Sequence, residues 1–180
     1  RDGLSDSEII LAAYARWGED CASHLLGDFA FAIWDGNERR LFCARDHFGV
    51  KPFYYSQQNG LFAFSSDVRG LLSLPWVSRE IDEDSVAGYL VLLFEEDRTT
   101  YRDVRRLPPA HTLVCDGTGV TLRRYWALDP TRELRLRSDE EYAEAFLELF
   151  SEAVRCRLRS AYPVGSTLSG GLDSSSVTCV

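Results

Sequence analysis

Asp28-Phe29-Ala30-Phe31-Ala32-Ile33-Trp34-Asp35 is the stretch that decides the fold of this 180-residue chain. Large Phe29, Phe31 and Ile33 alternate with small Ala30 and Ala32, so the side-chain period is two. That period marks a strand, and apolar character on both sides marks a strand covered on both faces. Asp35-Gly36-Asn37 can turn the chain, so residues 40–44 are expected to return as the second arm of a hairpin. A second hairpin, residues 53–57 and 61–65, surrounds Gln58-Asn59-Gly60, where Asn-Gly supplies the positive φ angles of a tight turn. A third, residues 111–115 and 120–126, surrounds Asp116-Gly117. Consecutive hairpins predict an antiparallel sheet with helices packed against it, an α+β layered domain.

Helices are expected on either side of these hairpins. Ser5 or Asp6 can cap one over residues 7–17, with Ile9, Ile10, Ala13 and Trp17 on one face. A helical turn over residues 20–26 ends at Gly27, and residues 68–74 and 82–93 read as further helices. Arg105-Arg106-Leu107-Pro108-Pro109 can continue neither a helix nor a central strand. Residues 127–137 read as a linker. The clearest helix is residues 138–159, opened by a capping box of Ser138 and Glu141 and carrying a stripe of Tyr142, Phe146, Leu149, Ala153 and Leu158. After Pro163 a short strand is expected at residues 164–168. The change of architecture places a domain boundary near Arg137, giving residues 1–137 and 138–180 as two domains.

The composition, 45% hydrophobic and 12% aromatic, supports a packed core and excludes disorder. A net charge of −8 without a long run of one sign argues against a nucleic-acid binder, whose affinity rests on clustered Lys and Arg. The most basic stretch, residues 155–159, lies on a predicted helix and reads as a solvated face. Cys21, Cys43, Cys115, Cys156 and Cys179 form no C-x-x-C pair and no ligand-like spacing with His24, His47 or His111, so they read as scattered buried thiols of a reducing compartment. The longest apolar run, residues 86–94, holds Gly88 and is too short to span a bilayer. A cytoplasmic enzyme without membrane contact fits. The chain begins at Arg1 and holds no Met, so its ends are expected to be cut ends of a longer protein.

The sharpest chemical signal is Leu168-Ser169-Gly170-Gly171-Leu172-Asp173-Ser174-Ser175, set between an expected strand and an expected helix. Two glycines and several small hydroxyl residues let backbone N–H groups converge at a helix N-terminus, which favours a multiply charged anion. Ser169, Ser174 and Ser175 add hydroxyl donors. Asp173 repels bare phosphate, and makes sense where Mg²⁺ lies between its carboxylate and phosphate oxygens. No Gly-Lys-Ser/Thr ending follows, so this is not a Walker A loop.

This string resembles the pyrophosphate-binding loop of ATP-pyrophosphatase enzymes, which cleave ATP between the α and β phosphates. The resemblance implies that a carboxylate attacks the α-phosphorus to give an acyl-adenylate, with the loop holding the departing pyrophosphate. Upstream, Arg45-Asp46-His47-Phe48-Gly49-Val50-Lys51-Pro52-Phe53-Tyr54-Tyr55 is similar to the Arg-Asp-x-x-Gly-x-x-Pro-Leu-Tyr segment of class II glutamine amidotransferases. On physical grounds Gly49 and Pro52 fix a tight turn that Arg45 and Asp46 pin, a structural role. Leu4-Ser5-Asp6-Ser7-Glu8 resembles a Ser-Asp-x-Glu stretch of the same domains, which implies that Asp6 binds the α-amino group of glutamine. Phe64-Ser65-Ser66-Asp67 and Arg106-Leu107-Pro108-Pro109-Ala110-His111 match mildly altered family segments.

Taken in order, these segments resemble the glutamine-hydrolysing asparagine synthetases. The resemblance implies an N-terminal-nucleophile αββα sandwich lacking its N-terminal part, followed by the start of an α/β ATP-pyrophosphatase domain. It implies glutamine, aspartate or another carboxylic acid, and ATP as substrates, with Mg²⁺, and allows a homodimer of the whole protein. A glutaminase of this type needs an N-terminal Cys and an Asn-Gly oxyanion pair, and neither is assignable here, because Cys21 has no free amine. The chain by itself is therefore expected neither to hydrolyse glutamine nor to make amide bonds. Two other readings remain open from the residues. One is a cyclase of the β-lactam synthetase or lasso-peptide type without glutaminase activity; the other is a non-catalytic domain with a decayed nucleotide loop. The acceptor acid is not legible.

Overall fold

A computed structural model describes residues 3–158 and 160–180. The chain divides into two compact units, Arg1–Leu128 and Asp129–Val180.

In the first unit, helix α1 spans Asp6–Trp17 and runs into a 3-10 helix, Gly18–His24. Four strands, β1 (Ala30–Asp35), β2 (Arg40–Arg45), β6 (His111–Asp116) and β7 (Gly119–Arg124), form one antiparallel sheet in the order β1-β2-β6-β7. Three others, β3 (Tyr54–Gln58), β4 (Leu61–Ser65) and the two-residue β5 (Arg105–Arg106), form a second sheet in the order β4-β3-β5. All three expected hairpins are present. Asn59 and Gly60, at φ 50° and 76°, make the turn between β3 and β4. The Pro-containing segment contributes only the short edge strand β5, as its chemistry demands.

The division of β1 into large and small sides sets the layering. Phe29, Phe31 and Ile33 pack with Ala13, Ala22 and Phe42, between α1 and the outer face of the four-stranded sheet. Ala30 and Ala32 face the other way, into a layer with Cys43, Phe53, Leu107 and Leu113 between the two sheets. Tyr54 and Ala63, on the far face of the second sheet, meet Val68 and Leu71 of α2 (Val68–Leu72) and Val104. Helix, sheet, sheet, helix is the αββα order that was expected. Within α1, however, the inward positions are Ile10, Ala13 and Tyr14, while Ile9 is 42% exposed. Tyr14 was not counted as apolar, yet its ring lies 5.2 Å from that of Phe42 and its hydroxyl donates to Asp35.

The Arg45–Asp46 corner ties distant segments together. Asp46 is 1% exposed; its Oδ1 accepts from the N–H groups of Phe48 (3.1 Å) and Val50 (2.9 Å), and its Oδ2 from that of Lys51 (2.9 Å). Its backbone N–H donates to Phe29 O, and its carbonyl accepts from Ala110 N–H. Arg45 donates from Nε to Lys51 O, from Nη1 to Leu107 O and from Nη2 to Gly49 O. Tyr125 closes the group by donating its hydroxyl to Arg45 O at 2.8 Å. Burial pulls the Arg45 guanidinium below its ordinary pKa, with Arg106 adding to the effect. Gly49, at φ 64°, leaves no room here: a Cβ would stand 2.9 Å from Arg45 Cζ and from Pro109 Cγ. Gly49→Ala is expected to cost about 1–3 kcal/mol, read as a lower urea midpoint at constant slope. An unmoved midpoint would contradict the close fit.

Helix α3 (Glu83–Leu90) is capped by Asp82, whose carboxylate accepts from Ser85 N–H and pairs with Arg98 at 2.7 Å. It stops short of the expected residue 93. Leu92 takes a left-handed φ of 59° and Leu93 N–H folds back to Gly88 O at 2.8 Å, which ends the helix.

In the second unit, α4 spans Asp139–Arg157 and α5 spans Leu172–Cys179. The predicted end of α4, Arg159, lies outside the described residues. Ser138 Oγ caps the helix by accepting from Glu141 N–H, but the reciprocal half of the expected box is absent. The Glu141 carboxylate instead accepts from Arg137 N–H at 2.8 Å, one residue further upstream. Residues 164–168 do not form the expected strand. A strand is defined by its ladder partner, and among the described residues none pairs with this segment. None of the unit's described residues is buried, so the α4 stripe stays uncovered, with Phe146 at 68% and Leu149 at 69% exposure. Among the described residues no helix is long and apolar enough to cross a membrane.

Candidate functional site

Gly170 and Gly171 turn the chain into α5 at Ser169–Ser175. Gly170 takes φ 81°, and Gly171 sits extended at the N-cap with no side chain to satisfy the helix end. The first helical bond runs from Ser175 N–H to Gly171 O at 3.2 Å. By helix geometry, the preceding N–H groups of Leu172, Asp173 and Ser174 point outward without an intrahelical acceptor. An uncapped N-terminus of this kind, with its partial positive charge, suits an anionic group.

The serines cross-brace the turn. Ser174 Oγ accepts from Ser169 N–H at 3.2 Å, lies 2.9 Å from Ser169 Oγ and donates to Gly171 O. Gly171 N–H reaches Ser169 Oγ at 3.4 Å. Ser174 and Ser175 are half-buried, whereas Leu168, Ser169, Gly170, Gly171 and Asp173 are exposed. The structure thus places Ser169, Gly170, Gly171, Asp173, Ser174 and Ser175 in the turn that opens α5, with Leu168 leading into it. It adds a pair that sequence reading passed over: Ser166 and Thr178, whose hydroxyls lie 2.8 Å apart and tie the incoming segment to α5. Thr178 stands one helical turn after Ser174, whose carbonyl its hydroxyl bonds at 2.8 Å.

The donor set fits the implied magnesium in kind. Asp173 and the serine hydroxyls are hard oxygen donors, and Mg²⁺ commonly takes one or two carboxylates with phosphate oxygens and water. Among the described residues no group of three or more His, Cys, Asp and Glu is placed to hold a metal ion by protein ligands alone.

Asp6, in the first unit, is the first residue of α1 and exposed. Ser5, rather than Asp6, is the cap. Ser5 Oγ accepts from Glu8 N–H at 3.3 Å, while Glu8 Oε2 accepts from Ser5 N–H at 2.7 Å and from Ser5 Oγ at 2.8 Å. The Ser5 backbone bond, then its hydroxyl, holds the Glu8 carboxyl below the usual range. The capping box thereby fixes the backbone on both sides of Asp6.

All five cysteines are free. Burial pushes the Cys21 thiol up to about 11 and the Cys43 thiol up to about 12, so neither supplies thiolate near neutral pH. Cys115 is half-buried and Cys156 and Cys179 are exposed, against the expectation of buried thiols.

Comparison with known proteins follows the same division. A family model described as a glutamine amidotransferase domain matches residues 2–126. One described as asparagine synthase matches residues 145–180. A glutamine-hydrolysing asparagine synthetase of Bacillus subtilis is 36% identical over 98% of this chain and 29% of its own length. An amidase of Gibberella zeae is 36% identical over 97% of the chain and 26% of its own length. The chain therefore spans about a third or less of these relatives. A solved glutamine phosphoribosylpyrophosphate amidotransferase from B. subtilis, complexed with ADP and GMP, overlaps 68% of this chain and 23% of its own at a TM-score of 0.44 and 18% identity, too loosely to argue from. With residues 2–126, more than half of its length, matched by one family model and residues 145–180 by another, the chain belongs to the glutamine amidotransferase domain family and leads into an asparagine synthase segment.

Proposed function

We propose that the whole protein is an ATP-dependent amidoligase that makes asparagine from aspartate, using ammonia released from glutamine. The observation that carries this reading is the uncapped, serine-braced turn Ser169–Ser175, standing inside the asparagine synthase match and joined in one chain to a glutamine amidotransferase domain. In this reading the acceptor carboxylate attacks the α-phosphorus of ATP and pyrophosphate departs. AMP then leaves as ammonia attacks the acyl carbon.

The residues of this chain act on the leaving diphosphate. Outward N–H groups at the start of α5 and the Ser169, Ser174 and Ser175 hydroxyls hold its oxygens, and the serine bonds seen here keep that turn curved beforehand. Asp173 is the carboxylate that would hold Mg²⁺, which would supply positive charge beside the diphosphate. Leu168 leads the chain into the turn. Residues 1–137 serve the glutaminase half and residues 138–180 open the synthetase half. The free cysteines fit a reducing cytoplasm.

The direct test is exchange of labelled pyrophosphate into ATP by the full-length protein. Exchange that depends on aspartate is expected; no exchange with aspartate or any other carboxylic acid would end the adenylation reading. The amidase relative makes other acids a necessary comparison.

Asp6 is proposed to pair with the α-ammonium of glutamine. Removing one charge-assisted bond costs about 1.5–3 kcal/mol, so Asp6→Asn should raise the glutamine KM roughly ten- to a hundredfold. Synthesis from free ammonia should be unaffected. Equal losses with glutamine and ammonia would show that Asp6 merely supports the fold.

A further inference from the structure

We draw no further inference here: the strongest candidate, the exposed apolar run Tyr89–Phe94 folded back over the C-terminal end of α3, carries nothing, because the acidic Glu95 and Asp97 beside it already pair with Arg98 and Arg105 and nothing in the structure shows what covers it.

Discussion

Asp46→Ala is expected to lower the unfolding free energy by about 3–5 kcal/mol, the range for removing one partner of a buried charged network. The carboxylate is almost fully enclosed and accepts three backbone N–H groups from the turn that follows it. Its loss strands those donors and leaves the Arg45 guanidinium, 7% exposed, without the negative charge beside it. Asp46→Asn keeps a carbonyl acceptor but turns an NH₂ toward at least one backbone donor, so a smaller loss of about 1–3 kcal/mol is expected. Urea unfolding of the chain, followed by tryptophan fluorescence, measures both. If Ala cost under 1 kcal/mol, or no more than Asn, the corner would not be the tie described above.

In the full-length protein, Asp173→Asn should depress pyrophosphate exchange by about 10²–10³-fold, comparable to losing one preorganised electrostatic contact at a transition state. The thermal midpoint should barely move, since the side chain is exposed and lies at the start of a helix. Raising Mg²⁺ should recover part of the lost rate if the carboxylate acts through the ion. Exchange equal to that of the unaltered protein would remove Asp173 from the mechanism, whatever the fate of the serines.

How much could be read in advance depended on whether the deciding interactions were local. The turn at Asn59-Gly60 and the two-sided β1 were legible because backbone preference and side-chain period act over a few residues. The Arg45–Asp46 segment read as a pinned turn, but its reach to Leu107 O and Ala110 N–H was not visible, since nothing in a sequence reports contacts across 62 residues. Residues 164–168 misled in the opposite way. Their composition suits a strand, while strandhood requires a ladder partner, which composition does not report and which none of the described residues supplies. Helix α3 ended early because Leu92 adopts a left-handed conformation that no glycine announced.

For the candidate site the balance was similar. The Ser169–Ser175 turn was legible as a string, because two glycines before a helix constrain the backbone whatever surrounds them. Asp6 was singled out only through a resemblance; by chemistry alone it competed with Ser5 for the cap, and the hydroxyl won. The Glu141 carboxylate shows the same limit. Sequence spacing named its donor as Ser138, yet Arg137 N–H was the better placed.

One consequence of the lopsided strand β1 concerns misfolding. Sliding it by a single position along β2 would push benzene rings and an isoleucine into the packed layer between the sheets, where β1 now contributes only two methyl groups, and would strip the helix-side layer of those large side chains. Both errors are costly at once, so the hairpin has one tolerable alignment.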